Sequence, residues 1–122
     1  MTQRPENTFA AYHAHVYFGP DTVSQARALC EAAGRHFAGL GGPGLGIGRV
    51  HEREVGPHPR WSCQLSFDSA AFQQVIAWLE ANRGGLDILV HGLTGDDLAD
   101  HTDHASWLGN EATLKLEMFR RG

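Results

Sequence analysis

The segment from Tyr12 to Phe18 alternates side chains with a period of two, which predicts a β-strand with two chemically different faces. One face is apolar and carries Ala14, Val16 and Phe18. The other carries His13, His15 and Tyr17, because successive side chains of a strand emerge on opposite sides of the sheet. The fold must therefore bury one face of this strand and present two histidines on the other.

Two helices are predicted after this strand. Thr22 and Gln25 form a capping-box pattern at the start of the first helix, and Gly34 is expected to end it. Asp68 caps the second helix, which the pair Gly84-Gly85 ends. The glycine-rich segment 39–48 between the first helix and the next strand is predicted to be a loop.

The remaining periodic segments are predicted strands, at 47–52, 61–67, 86–91 and 113–119. Residues 94–109 are expected to form a loop or a short helix. The order strand, helix, strand, strand, helix, strand is that of the ferredoxin-like α+β fold, an antiparallel sheet with both helices on one face. Segment 113–119 would add an extra C-terminal strand, and the other face of the sheet would have no helix to cover it.

Size and charge limit the possible functions. A chain of 122 residues is expected to form a single domain over 1–122, since two domains would each have too small a core. The net charge is -4 and the basic residues are scattered, which argues against nucleic-acid binding. No stretch resembles a signal peptide or a membrane span, and only two cysteines occur, so we expect a cytoplasmic protein that contacts no membrane.

A dinucleotide site is also not expected. Gly39, Gly41 and Gly44 match the glycine spacing of such sites, but that motif requires a strand before it and a helix after it. Here the predicted order is reversed.

Side-chain alternation brings further polar groups to the open face of the sheet. It directs Gln64 and His91 to that face, and the ferredoxin-like order makes the fourth strand an antiparallel neighbour of the first. His91 should then lie near His13 and His15, and three imidazoles that converge form a plausible metal site. His51 joins them if the second strand directs Ile47 and Arg49 to the same face.

Other candidates lie in the connecting segments. His51 and His58 flank the turn between the second and third strands, where a histidine could transfer protons beside a metal. Asp100 and His104 would share a helix face at a spacing of four residues, and Asp100 could supply the carboxylate of a two-histidine, one-carboxylate iron site. His36, at a helix end, is interpreted as structural.

Three blocks of the chain resemble the DOPA 4,5-dioxygenase family of fungi and bacteria. They are YHAHVYF at 12–18, HEREVGPHP at 51–59, and the segment from LVH at 89–91 through TGDD to DHTDHASWLG at 100–109. The resemblance implies a ferredoxin-like fold, ferrous iron, a catechol substrate and extradiol ring cleavage. One departure is Gly92-Leu93, where the family commonly has Pro-Asn.

Together these patterns give a specific hypothesis. His13, His15 and His91 would bind Fe(II), with zinc or another divalent metal possible in the purified protein. His51 and His58 would transfer protons, and Gln64, His101 and His104 would bind the substrate, a catechol such as L-DOPA that reacts with O2. A homodimer is expected, because a polar sheet face is seldom left bare unless a segment such as 94–109 covers it. The identity of the catechol, the position of cleavage and the choice of three ligands among the clustered side chains stay open.

Two other functions also fit the sequence. In a cofactor-free ferredoxin-like oxygenase or isomerase, His15 and His51 would act as acid and base without a metal. Alternatively, a non-catalytic protein could use the same histidines to bind a metal or a small molecule.

Overall fold

The computed structural model describes residues 4–38 and 45–119, which form one antiparallel sheet with helices packed on it. The elements in chain order are β1 (Ala11–Phe18), α1 (Val23–Ala38), β2 (Gly46–His51), β3 (Trp61–Asp68), α2 (Ser69–Asn82), β4 (Ile88–Gly92), α3 (Asp97–Asp100), β5 (Ala105–Leu108) and a 3-10 turn (Glu117–Phe119). Among the described residues, no helix is long and apolar enough to cross a bilayer.

The five strands lie in the order β2-β3-β1-β4-β5, and every neighbouring pair is antiparallel. The first four strands have the predicted ferredoxin-like order, and α1 and α2 pack on one face of the sheet. The fold class predicted from the sequence is confirmed.

The main core lies between the sheet and these helices. Ala14, Val16 and Phe18 are fully buried there, as the alternation of β1 predicted. Asp68 caps α2 as predicted, since its side chain accepts a hydrogen bond from the amide of Ala71. Both cysteines lie in this core with their sulfurs 3.0 Å apart, Cys30 on α1 and Cys63 on β3.

The prediction that Gly34 ends α1 is wrong. The helix continues to Ala38, and Gly34 lies within it because Ile47 of β2 packs against this point. A Cβ atom at Gly34 would lie 2.6 Å from the Ile47 side chain, so glycine here gives space to a neighbouring strand. The predicted loop at 39–48 falls largely on residues 39–44, which lie outside the described part of the chain, as do Gly39, Gly41 and Gly44.

The expected strand at 113–119 is not formed. The extra C-terminal strand is instead β5, which pairs with β4 at Leu89↔Trp107 and His91↔Ala105. The segment after β5 crosses the open face. Leu114 packs there on a buried group of side chains, and the backbone amide of Lys115 donates a hydrogen bond to the carbonyl of Pro57. Its alternation therefore reflects one side packed on the protein and one side in solvent, without a partner strand.

A candidate metal centre on the covered sheet face

Three histidines converge on the sheet face opposite α1 and α2. His13 and His15 lie on β1, and His91 lies on β4 directly across from His13. One ring nitrogen from each lies within 4.8 Å of the others, and the Nε2 atoms of His15 and His91 are only 3.0 Å apart. The alternation of β1 and β4 thus brings together the three predicted metal ligands.

The spacing of these nitrogens suits a metal ion. Two nitrogen ligands at right angles, each about 2.1 Å from one cation, are separated by about 3.0 Å. His91 Nδ1 lies 2.9 Å from the carbonyl of Gly92 and can donate its hydrogen there, which leaves a lone pair on Nε2. The donor set therefore fits a divalent ion of the iron or zinc type.

Burial keeps these imidazoles neutral. It lowers the pKa of His91 to about 4, mainly by desolvation, although the hydrogen bond to Gly92 works in the opposite direction. The pKa of His15 is held well below its usual range by burial first and then by His58, His91 and the other nearby imidazoles. Burial also lowers the pKa of His13. Neutral rings can bind a cation without first losing a proton.

His58 lies over the triad formed by His13, His15 and His91. The turn that precedes β3 carries it, and its ring centroid is 4.1 Å from that of His15. Its Nδ1 atom is 2.7 Å from the hydroxyl of Tyr17, which is fully buried on the same sheet face. Burial raises the pKa of Tyr17, so the hydroxyl keeps its hydrogen and can donate it to His58. Burial and the neighbouring His101 and His91 lower the pKa of His58 to about 4.

His101 joins the cluster from the end of α3. Its ring is 4.3 Å from that of His91 and stacks on Phe119 at 4.9 Å between centroids. Its Nδ1 atom is 2.7 Å from the backbone oxygen of Asp97, and a carbonyl can only accept. The hydrogen of neutral His101 is therefore on Nδ1, and Nε2 is free to accept a proton.

Gln64 and His51 flank the triad on the β3 side. The side-chain nitrogen of Gln64 lies 3.3 Å from Nε2 of His13, so a cation bound at that atom would displace the amide. His51 pairs in register with Ser62 and contributes to the electrostatic surroundings of His58. The prediction that His51 would reach the open face only with Ile47 facing the same way is wrong, because Ile47 faces α1. An irregularity in β2 between Ile47 and Val50 shifts the alternation, so His51 still lies on the open face.

Asp100 and His104 form the predicted pair at a spacing of four residues, with 3.0 Å between His104 Nδ1 and the carboxylate. Asp100 also accepts hydrogen bonds from the amide and hydroxyl of Thr94. Burial alone would raise the pKa of Asp100, but the hydrogen bonds from His104 and Thr94 outweigh it and lower the pKa. Among the described residues, the ligand group comprises histidines only, and Asp100 stabilises the loop beside it. His104 packs on Phe9, 4.6 Å between ring centroids.

His36 lies away from this cluster. It is exposed near the end of α1 and stacks on Trp78 of α2, 5.7 Å between centroids. This position agrees with the structural role expected from the sequence.

No role was predicted for the aromatic residues beside the cluster. Tyr17, Leu89 and Trp107 form a second buried group, against which Ala112 and Leu114 pack. The alternation of β1 directed Tyr17 to this face, which was the available signal for its contact with His58. Trp107 lies on β5, a strand that was not predicted from the sequence.

A cleft of about 370 Å³ opens between β5 and the segment that follows it. Its lining comprises His101, Thr102, Ala105, Trp107, Glu111, Ala112, Thr113, Leu114 and Leu116. The cleft borders the triad at two points, because His101 contacts His91 and Ala105 is the cross-strand neighbour of His91. This face of the sheet is therefore covered by the chain itself, yet it keeps an opening beside the candidate ligands.

Known proteins are similar in sequence to this chain. The model of the "Dopa 4,5-dioxygenase family" matches residues 12–118. A DOPA 4,5-dioxygenase of Amanita muscaria is 33% identical over 108 residues, which cover 86% of this chain and 47% of that protein. An uncharacterized 21.2 kDa protein of Botryotinia fuckeliana is 34% identical, with 91% of this chain and 64% of that protein covered. The chain thus spans about half to two thirds of the length of these relatives.

A solved structure shares the fold as well. The crystal structure of a "putative dioxygenase" from Nostoc punctiforme PCC 73102 superposes with a TM-score of 0.77 at 36% identity, with 92% of each chain covered. The match of the family model over 12–118 includes all three candidate ligands and both flanking histidines, His58 and His101. The chain belongs to the Dopa 4,5-dioxygenase family.

Proposed function

We propose that the protein is a non-haem Fe(II) extradiol dioxygenase that opens the ring of a catechol with O2. The observation that carries this proposal is the triad of neutral imidazoles, with His15 and His91 Nε2 atoms 3.0 Å apart. Membership of a dioxygenase family supports an oxygenase reaction in particular. Cleavage that adds both atoms of O2 to the catechol gives a semialdehyde and needs no external reductant.

In this proposal His13, His15 and His91 hold the iron. Ferrous iron bound there would supply a Lewis-acidic centre at which the catechol oxygens and O2 can meet. The three side chains are neutral, so they leave the positive charge of the ion uncompensated, which favours binding of a catechol as an anion. Burial of His15 and His91, which are 5% and 3% exposed, keeps bulk water from their ring nitrogens.

His58 is proposed to donate a hydrogen bond to the substrate. In this role Tyr17 donates to Nδ1, 2.7 Å away, and the hydrogen of the neutral His58 ring is on Nε2. An N–H group stabilises negative charge that develops on an oxygen atom beside the triad, and Tyr17 holds the ring in this tautomer.

His101 is proposed to accept the catechol proton. Its hydrogen lies on Nδ1 and faces the carbonyl of Asp97, so its Nε2 atom is a base. The ring lies against His91, so it would border a catechol bound at the triad. Together with His58 it forms a donor and acceptor pair, and His51 is the remaining candidate for proton transfer beside His58.

The direct test is turnover by protein loaded anaerobically with ferrous iron. Catechol, caffeate and DOPA should be supplied in turn, with an oxygen electrode and an absorbance scan as readouts. We expect one equivalent of O2 consumed per catechol and a yellow ring-opened product. Protein treated with a chelator should be inactive, whereas full activity without metal would favour the cofactor-free alternative. Tight metal binding without O2 uptake on all three compounds would favour a non-catalytic binding protein.

A further inference from the structure

The two cysteines of the chain are in contact inside the core between α1 and the sheet. Cys30 is 2% exposed, Cys63 is fully buried, and their sulfur atoms are 3.0 Å apart. Even carbon atoms, which are smaller than sulfur, pack at about 3.5–4.0 Å. The two sulfurs therefore meet more closely than an ordinary packing contact, on the face of the sheet opposite the histidine cluster.

A disulfide between these side chains would need only a small movement. Its S–S bond is about 2.05 Å long, so the sulfur atoms would have to approach each other by about 1 Å. Cys30 lies on α1 and Cys63 on β3, 33 positions apart in the sequence. The bond would therefore join the helix layer to the sheet and close a loop that includes all of β2.

The surroundings of the two thiols make Cys63 the more reactive one. The S–H group of Cys30 donates to the sulfur of Cys63 and lowers the pKa of Cys63; burial acts in the opposite direction, and Arg27 adds to the lowering. The same hydrogen bond, together with burial, raises the pKa of Cys30. The thiolate is the nucleophile in thiol oxidation, so Cys63 should react first, with the sulfur of Cys30 already beside it.

An oxidant would reach Cys63 past β2. This strand is an edge of the sheet, its residues 46–49 are exposed, and its pairing with β3 is irregular. The sulfur of Cys63 lies 3.9 Å from the carbonyl oxygen of Gly48 on this strand. Edge strands with few regular contacts open locally at low cost, and a brief opening here would admit a molecule as small as hydrogen peroxide.

We propose that Cys30 and Cys63 are a peroxide-sensitive dithiol, which hydrogen peroxide oxidises to a disulfide that joins α1 to β3. The Cys63 thiolate attacks one oxygen of the peroxide, the O–O bond breaks, and a sulfenic acid and hydroxide form. Cys30 gives up its proton and attacks the sulfur of the sulfenic acid, so the S–S bond forms as the S–O bond breaks. In total the two thiols lose two electrons and two protons, and one peroxide becomes two molecules of water.

The disulfide should stabilise the fold. It reduces the conformational freedom of the unfolded chain, because it closes the loop between Cys30 and Cys63. We expect the Tm of the oxidised protein to exceed that of the reduced protein by roughly 5–15 °C in scans without reductant. A Tm that is equal or lower after oxidation would overturn this part of the proposal. The dithiol does not depend on the proposed function, since neither cysteine belongs to the candidate metal centre.

Peroxide treatment of the full-length protein tests the dithiol, with zinc supplied in place of iron because zinc has no redox chemistry. Catalase ends the reaction, thiols are counted in denaturant, and unreduced peptides are mapped by mass spectrometry. We expect both thiols to be lost, a peptide that joins Cys30 to Cys63, and recovery of both thiols with dithiothreitol. Met118, an exposed methionine, should gain an oxygen atom and so show that the peroxide was active.

Three results of this experiment would overturn the proposal. They are two thiols that persist although Met118 is oxidised, sulfinic or sulfonic acids without the cross-linked peptide, and a disulfide between two chains. The peptide map uses the unmodified protein, so these results do not depend on whether a variant folds.

Single variants test the order of the two steps. Cys30→Ala removes the second thiol, so peroxide should leave a sulfenic acid on Cys63 that dimedone traps, and the Tm should not rise. Cys63→Ala is the matched control, in which Cys30 should react with peroxide at least tenfold more slowly. Equal rates at the two cysteines, or the same rise in Tm in Cys30→Ala as in the unmodified protein, would contradict the mechanism.

Discussion

The two histidines beside the triad differ in the partner of their Nδ1 atoms. Nδ1 of His58 lies against the Tyr17 hydroxyl and can accept its hydrogen, whereas Nδ1 of His101 donates to the backbone oxygen of Asp97. The Nε2 atom of His58 can therefore serve as a hydrogen-bond donor, whereas the Nε2 atom of neutral His101 can serve as an acceptor. This difference depends on contacts that join Tyr17 to a residue 41 positions away, so it could not be read from local sequence.

Tyr17→Phe tests the role of the hydroxyl. Removal of the hydroxyl should let the His58 ring change tautomer and rotate. Under the proposed function we expect kcat to fall roughly tenfold with little change in KM, because the proposed metal ligands that would bind the catechol are unchanged. Tyr12→Phe is a matched control, since the Tyr12 hydroxyl accepts hydrogen bonds from the amides of Thr8 and Phe9, away from the triad. Equal losses of kcat in the two variants would contradict a specific role for Tyr17.

His15→Ala should abolish tight metal binding. The substitution removes one of the three proposed ligands, and two imidazoles alone would not hold a divalent ion with comparable affinity. Metal content should be measured by atomic emission after expression with iron and dialysis without chelator. His36→Ala, which changes a histidine that stacks on Trp78, should retain the metal of the unmodified protein, and equal metal loss in both variants would refute the assignment.

Alternation predicted the residues of the sheet face well, but it could not predict the residues that cover that face. His13, His15, His91 and Gln64 lie where a period of two directs them, because the pleat of a strand leaves no other choice. His58 and His101 lie on connecting segments, whose positions depend on contacts distant in sequence. The sequence indicated both histidines as candidate site residues, but only the fold shows where they lie relative to the triad.

The predicted helices and strands were wrong in detail where the backbone departs from regular helix or strand geometry. The irregularity in β2 reverses the alternation of side chains between Ile47 and Val50. Gly34 lies inside α1, although a glycine at such a position commonly ends a helix. The first four strands, the two long helices, their order and the pairing of the first strand with the fourth were predicted correctly, because each depends on repeated hydrophobic spacing over several turns or residues. The C-terminal strand was predicted in the wrong segment, since β5 has only four residues.

The segment before β1 packs on the end of β4 through Phe9. A Cβ atom at Gly92 would overlap the Phe9 ring, so glycine at this position leaves room for Phe9. Gly92→Ala should displace the ring and lower the free energy of unfolding by roughly 1–3 kcal/mol, as measured by urea denaturation. Gly85→Ala is the control, because nothing lies within 4 Å of the added methyl group, and it should cost little.

A double substitution identifies the cause of this loss. If the cost of Gly92→Ala comes from the Phe9 ring, the same substitution in a Phe9→Ala background should be nearly neutral. An equal cost in both backgrounds would show that the backbone of β4, which also accepts the hydrogen bond of His91, is the sensitive part.

For the whole molecule, buried histidines should make stability depend on pH. In the unfolded chain a histidine has a pKa near 6.5, whereas His58 and His91 have pKa values of about 4 when folded. Between these values the unfolded state binds more protons, so stability is lost as the pH falls from about 6.5 toward 4. At pH 5 each of these two groups should cost on the order of 2 kcal/mol.

Thermal unfolding of metal-free protein between pH 7.5 and 5 measures this effect. His58→Gln should reduce the acid-induced fall in Tm, whereas His36→Gln should leave it unchanged. A Tm that stays constant over this range in the unmodified protein would mean that the imidazoles are not buried as neutral groups.

The ligands of the candidate centre come from β1 and β4, and His15 and His91 are 76 positions apart in the sequence. An unfolded chain would seldom bring these rings together, so the folded state should bind a divalent ion far more tightly than the unfolded state. By thermodynamic linkage, each tenfold rise in free ion concentration above the dissociation constant should then add about 1.4 kcal/mol to stability. Occupancy of the centre would thus act as a cross-link between β1 and β4, and scarcity of the ion would lower the stability of the fold as well as limit the proposed catalysis.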